Sequence, residues 1–194
     1  VGLLPLNEEV TMYKNRNMDF DGKIFAGFSA FEGKDFHFDY DKFSITLDSV
    51  RYFDLFTPTG VILKNGQPEA LSIASRIEHL NGVLLIDAPA NKSGRDDIPI
   101  FPAIESKEKS YVYYDYNNEQ GEVYKRDSFY FELNPFSFEK LDRYVRSDVS
   151  FDGKMFSADI FPVFEEKIVL MDDESLGFDT KSPDEGYPNY SGKG

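Results

Sequence analysis

Alternation of apolar and polar residues with a period of two dominates this chain, and that spacing predicts strands whose two faces differ in character. Phe36-His37-Phe38-Asp39-Tyr40 sets three aromatics on one face, and Phe43-Ser44-Ile45-Thr46-Leu47 resumes the pattern after a break at Asp41. Ser128-Phe129-Tyr130-Phe131-Glu132-Leu133 reads as a further strand, and Val83–Asp87 as a continuous run of the buried-strand type. Ser110-Tyr111-Val112-Tyr113-Tyr114-Asp115-Tyr116 runs into the polar stretch 117–121 and resumes at Glu122-Val123-Tyr124, a hairpin signature. Counting such segments predicts about eight to ten strands. The stripes Phe36/Phe38/Tyr40, Phe43/Ile45/Leu47 and Phe129/Phe131/Leu133 should face the core.

Two stretches carry helical spacing instead. Ala70, Ile73, Ala74, Ile77 and Leu80 share one face of a helix over 69–80 that Asn81-Gly82 would end, although 75–80 also accommodates a strand. Asn134 as N-cap and Pro135 at the first helical position predict a second helix over 134–145. The fold class is therefore mainly β, an antiparallel sandwich or elongated stacked sheets with one or two packed helices.

An internal repeat organises the chain. Phe20-Asp21-Gly22-Lys23-Ile24-Phe25-Ala26 returns 131 residues later as Phe151-Asp152-Gly153-Lys154-Met155-Phe156-Ser157. Phe31-Glu32-Gly33-Lys34 returns as Phe164-Glu165-Glu166-Lys167, displaced by two further residues. Each Asp-Gly reads as a tight turn between two strands. The reading is one β-rich domain over 1–171, with repeat copies at about 18–36 and 149–169, and an extended arm or linker over 172–194. Residues 90–109 show no periodicity and read as a long loop.

Composition removes whole classes of function. Lys+Arg 21 against Asp+Glu 35 gives a net charge of −14, unsuited to neutralising phosphates, so no nucleic-acid partner is expected. Cysteine is absent, which excludes disulfides, thiolate metal sites and thiol catalysis. No apolar run approaches the roughly 18 residues of a spanning helix, so no membrane insertion is expected. His37 and His79 lack the neighbours of a nucleophile–base pair, and no residue stands out as catalytic.

The chemistry left is that of tyrosines and carboxylates. Tyr113, Tyr116 and Tyr124 could stack sugars, or pack across strands. Asp19, Asp21, Asp35, Asp39 and Asp41 form an acidic field, and Asp19, Asp21, Asp39 and Asp41 in it could hold calcium across strands, or the field could simply solvate a face. Calcium is the only cofactor the sequence leaves open. Asp115–Gly121 resembles an oxygen-ligand loop, but its glycine falls one place late and Arg126 stands where the bidentate acid belongs. Any pair among the 35 acids could in principle serve a carboxylate-based glycoside hydrolase.

The Phe-Asp-Gly-Lys copies, together with 80–94, 110–115 and 184–194, resemble segments of large exported β-repeat proteins of Gram-negative bacteria. That resemblance implies an internal piece of a longer extracytoplasmic chain, whether outer membrane-associated, at the cell surface or secreted. It implies neighbouring domains of the same chain as partners, and it brings no catalytic or binding residues. The function expected is a non-catalytic structural or interaction module. A glycan- or calcium-binding module is the alternative, and a glycoside hydrolase the second alternative.

Overall fold

The computed structural model describes residues 1–64, 66, 68–115, 124–181, 184 and 186. Its strands are β1 (Gly2–Pro5), β2 (Thr11–Met12), β3 (Met18–Ala26), β4 (Ser29–Asp39), β5 (Ser44–Ile62), β6 (Pro68–Ser72) and β7 (Ile77–Leu85). They continue with β8 (Ala103–Ser106), β9 (Ser110–Tyr113), β10 (Phe129–Leu133), β11 (Ser137–Phe138), β12 (Ser150–Ser157), β13 (Phe164–Leu170) and β14 (Leu176–Gly177). All belong to one open antiparallel sheet whose main path runs β1-β3-β4-β5-β7-β9-β10-β12-β13-β14. The short strand β2 joins β3 beside β1, β6 joins β5, and β8 carries β11 off the far half of β7.

The registers line up across nine consecutive strands. Leu3, Ile24, Phe31, Phe53, Ile77, Val112, Phe131, Met155 and Phe164 oppose one another in turn from β1 to β13. The six from Ile24 to Phe131 are wholly buried. Phe31 and Phe53 stack at 4.5 Å, nearly parallel. Side chains alternate across a strand, so the next position of each strand points outward. That outer row reads Leu4, Lys23, Glu32, Tyr52, Glu78, Tyr111, Glu132, Lys154 and Glu165. It is laced by the ion pairs Lys23–Glu32 at 2.8 Å and Lys154–Glu165 at 3.6 Å.

Neither expected helix forms. Among the described residues the only helical turns are 3-10 turns at Leu6–Glu8, Pro89–Asn91 and Arg146–Asp148. Within 69–80 lie β6 and the start of β7, where His79 takes a left-handed φ of 59°. That irregularity separates buried Ile77 from buried Leu80 by three residues, and so imitates helical spacing. In 134–145 the buried residues Phe138, Leu141 and Tyr144 are likewise three apart, but a turn at Lys140 (φ 57°) spaces them. The strand β8 lies inside the stretch expected to be one long loop.

Both Asp-Gly pairs sit inside strands rather than at turns. At Gly22 the β3–β4 register shifts, and its φ of 138° is one that L side chains rarely adopt. Asp21 closes this bulge by accepting the Asp35 N–H at 2.8 Å. Gly153 has ordinary dihedrals but faces a crowded neighbour, since a Cβ there would lie 2.1 Å from the Glu132 carbonyl oxygen. The repeat itself is structural: Lys23↔Glu32 and Ile24↔Phe31 in β3–β4 recur as Lys154↔Glu165 and Met155↔Phe164 in β12–β13.

Segment 134–149 crosses the inner face and ties it down. The Tyr144 hydroxyl lies 2.7 Å from the carbonyl oxygens of both Phe28 and Phe56, donating its one proton, and accepts the Phe56 N–H at 3.0 Å. The expected core stripes hold: Phe36, Phe38, Ile45, Leu47, Phe131 and Leu133 are buried, while Tyr40, Phe43 and Phe129 pack partly buried against them. The stretch 172–194 begins by docking, with Leu176 wholly buried and Phe178 against Phe131 and Phe164.

Burial pushes the Tyr144 hydroxyl from 10.0 up to about 12. The folded state therefore keeps this proton after the unfolded chain has released it, and stability falls as pH rises between those values. Tyr144→Phe should cost about 1–3 kcal/mol at neutral pH by removing the tie. It should also flatten the loss of stability above pH 10. Urea unfolding at both pH values checks this, and an unchanged alkaline slope would show that the tie is not what this hydroxyl makes.

Candidate interaction surfaces

Three surface features carry the candidate chemistry. The first is an aromatic strip on the outer face. β9, β10 and β12 bring Tyr113, Tyr130 and Phe156 opposite one another, with Tyr111 one step along β9. Tyr130 stacks on Phe156 at 4.7 Å, Tyr111 on Tyr113 at 6.0 Å, and His79 meets both Tyr111 and Tyr113 edge-on. Burial raises the Tyr113 and Tyr130 hydroxyls above their ordinary value.

Arg126 anchors the strip. Its guanidinium lies 4.1 Å from the Tyr113 ring centroid and forks to Glu78 (2.7 and 3.1 Å) and Asp115 (2.8 and 3.1 Å). Hydrogen bonds to Asp115 and then Glu78 hold the guanidinium firmly charged. Of the tyrosines expected to stack sugars, Tyr113 is in this strip, engaged by rings and by Arg126. Tyr124 packs on Phe129 at 4.3 Å, and Tyr116 lies outside the described residues. Tyr130 and Phe156 were not visible as partners because only the register joins them to Tyr113. Among the described residues β9 pairs with β10 and β7, and most of the expected hairpin, its turn at 117–121 and Glu122-Val123, falls outside the described residues.

The second feature is an acidic cleft of about 830 Å3 between the N-terminal segment and the β3–β4 pair. Glu8, Glu9, Asp19, Asp21, Asp35 and Asp48 line it beside His37. Asp19 opposes His37 across the two strands and accepts hydrogen bonds from the Tyr13 hydroxyl and at His37 Nδ1, both at 2.5 Å. These bonds, Tyr13 first, hold its carboxyl below the usual range. Of the four acids expected as calcium ligands, Asp19 and Asp21 line this cleft, whereas Asp39 and Asp41 are not among its lining residues. Asp19 serves Tyr13 and His37, and Asp21 closes the bulge. Asp39 caps the β4–β5 turn through the Lys42 N–H and ammonium (3.0 and 2.9 Å), and Asp41 is exposed in that turn. Among the described residues no group of three or more His, Asp or Glu is placed to hold a metal ion.

Among the described residues the carboxylates whose acidity is displaced, Asp19, Asp39, Asp97 and Asp173, move downward through hydrogen bonds. A proton donor for glycoside hydrolysis needs the opposite shift. In the loop after β7, Asn91 is buried and ties Asp87 (2.8 Å) to both the N–H and the carbonyl of Asp96. The polar run 91–95 is thereby closed on itself.

The third feature is the outer edge of the sheet. β1 and β2 both pair with β3, and β1 ends the path. Leu3, Leu4, Leu6, Val10 and Met12 are exposed there, Leu4 at 59% and Met12 at 73%. Searches of protein families, curated proteins and solved structures find no match to this chain.

Arg126→Met should destabilise the chain more than Asp115→Asn, because it strands the nearly buried Glu78 carboxylate without a cation. Arg126→Lys should recover only part of the loss, since an ammonium cannot fork to two acids and stack on Tyr113 together. Denaturant midpoints check the order, and equal midpoints for Arg126→Met and Asp115→Asn would contradict it.

Proposed function

We propose that the chain is a non-catalytic interaction module of a larger extracytoplasmic β-rich protein, meeting neighbouring domains through the open end of its sheet. One observation carries this reading: a band of aliphatic side chains on β1, β2 and the turn between them stands in water. Large aliphatic side chains exposed together along one sheet edge are the kind of surface that a partner covers. An edge strand invites a partner unless charge or cover blunts it, and β1 carries no charged residue. The repeated hairpin, set twice in the same sense along one sheet, fits a chain built from recurring β units. The resemblance to large exported β-repeat proteins supplies the setting outside the cytoplasm.

The alternatives have less support. Of the tyrosines of the glycan reading, Tyr113 is engaged by Tyr111, Tyr130 and Arg126 and Tyr124 by Phe129. Of the acids of the calcium reading, Asp19, Asp21 and Asp39 are held in separate hydrogen bonds. The hydrolase reading finds no carboxyl shifted upward in pKa among the described residues.

The test compares Leu4→Lys in two settings: the 194-residue chain alone, and a longer polypeptide extended into its own reading frame. The substitution should leave the Tm of the chain alone nearly unchanged and lower it in the longer polypeptide. An absence of effect in both would overturn the module reading.

A further inference from the structure

The repeat extends one strand further than its sequence shows. In the second copy, β10 lies beside β12 with Phe131 opposite Met155, Glu132 opposite Lys154 and Leu133 opposite Gly153. In the first copy, β1 lies beside β3 with Leu3 opposite Ile24, Leu4 opposite Lys23 and Pro5 opposite Gly22. Ile24, Lys23 and Gly22 are the repeat equivalents of Met155, Lys154 and Gly153, so β1 holds the place of β10. The unit is three strands, β1-β3-β4 and β10-β12-β13, in matching register.

The two units differ in what lies beyond them. β10 is followed by β9, antiparallel, which sets Val112 against Phe131 on the inner face and Tyr111 against Glu132 on the outer. Beyond β1, among the described residues, the path stops. The consequence is visible in burial: Phe131 is 0% exposed, whereas Leu3, its inward-facing counterpart, is 37% exposed.

We infer that the outer edge of β1 is the seat of an antiparallel strand with the alternation of β9, supplied by another segment of the parent protein. The incoming strand continues a pairing that the sheet already makes. Opposite Leu3 it places an aliphatic residue, which closes the end of the inner row. Opposite Leu4 it places an aromatic or aliphatic residue, since Leu4 stands where β10 has the charged Glu132. This inference rests on the module reading and gives its partner a shape: a short extended strand, apolar on both faces at the centre, running opposite to β1.

The experiment supplies such a strand in cis. A leader Ser-Tyr-Val-Tyr-Thr-Asn-Gly placed ahead of Val1 carries the β9 sequence and a two-residue hairpin turn, so that its valine falls opposite Leu3. A second leader replaces that valine by lysine. The valine leader should raise Tm by about 2–4 °C, the shift expected for roughly 1 kcal/mol in a chain of this size. It should also slow amide exchange within β1, and the lysine leader should do neither. Equal effects from both leaders, or none from either, would overturn the strand inference. The module reading would survive that result if Leu4→Lys still destabilised the longer polypeptide, because a partner can cover Leu4 through side chains alone.

Discussion

One constraint underlies this fold: nine strands must keep a common register so that the row from Leu3 to Phe164 stays on a single face. The side-chain period of a strand is two, so a slip of one residue anywhere would turn Phe31 or Phe131 to water and bring Glu32 or Glu132 inside. Burying each phenylalanine is worth roughly 1.5–3 kcal/mol, which makes the wrong register expensive at every strand. The outer row enforces the same choice from the other side. Its ion pairs, Lys23–Glu32 and Lys154–Glu165, form only when the inner row is correct.

The inner face needs cover, and the chain supplies it from places that look like loops. The segment after β10 lays Phe138, Leu141 and Tyr144 over the sheet, and Leu176 and Phe178 close the C-terminal half. At one close approach of cover and sheet the residue is glycine. A Cβ at Gly27 would collide with the backbone at Asp142, 2.2 Å away. The phenolic tie of Tyr144 joins the same regions, fixing the β3–β4 and β5 backbones to the crossing segment.

The β character and the main aromatic stripes were legible because period-two alternation survives wherever a strand is regular. The repeat was legible as sequence, but its turns were placed at the Asp-Gly pairs, which lie inside β3 and β12. The helices at 69–80 and 134–145 were misread for a physical reason. A left-handed residue, His79 in one and Lys140 in the other, moves the next buried side chain to a spacing of three, which a helix also produces. The repeat's third strand escaped notice because Gly2-Leu3-Leu4-Pro5 and Tyr130-Phe131-Glu132-Leu133 share a position in the sheet but little sequence. Of the candidate site, Tyr113 was legible as a single residue. Its partners Tyr130 and Arg126 were not, since strand pairing and a long side chain bring them together. The Asp19–His37 contact likewise depends on β3 and β4 lying in register.

If the shared row holds the sheet together, its two halves cannot open independently. Native-state hydrogen exchange at increasing urea measures this directly, because each cooperative unit reports its own opening free energy. The account predicts that the buried amides of β4, β5, β10 and β12 lose protection together, at the free energy of global unfolding. Separate opening of β3–β7 and β9–β13, at two different free energies, would contradict it.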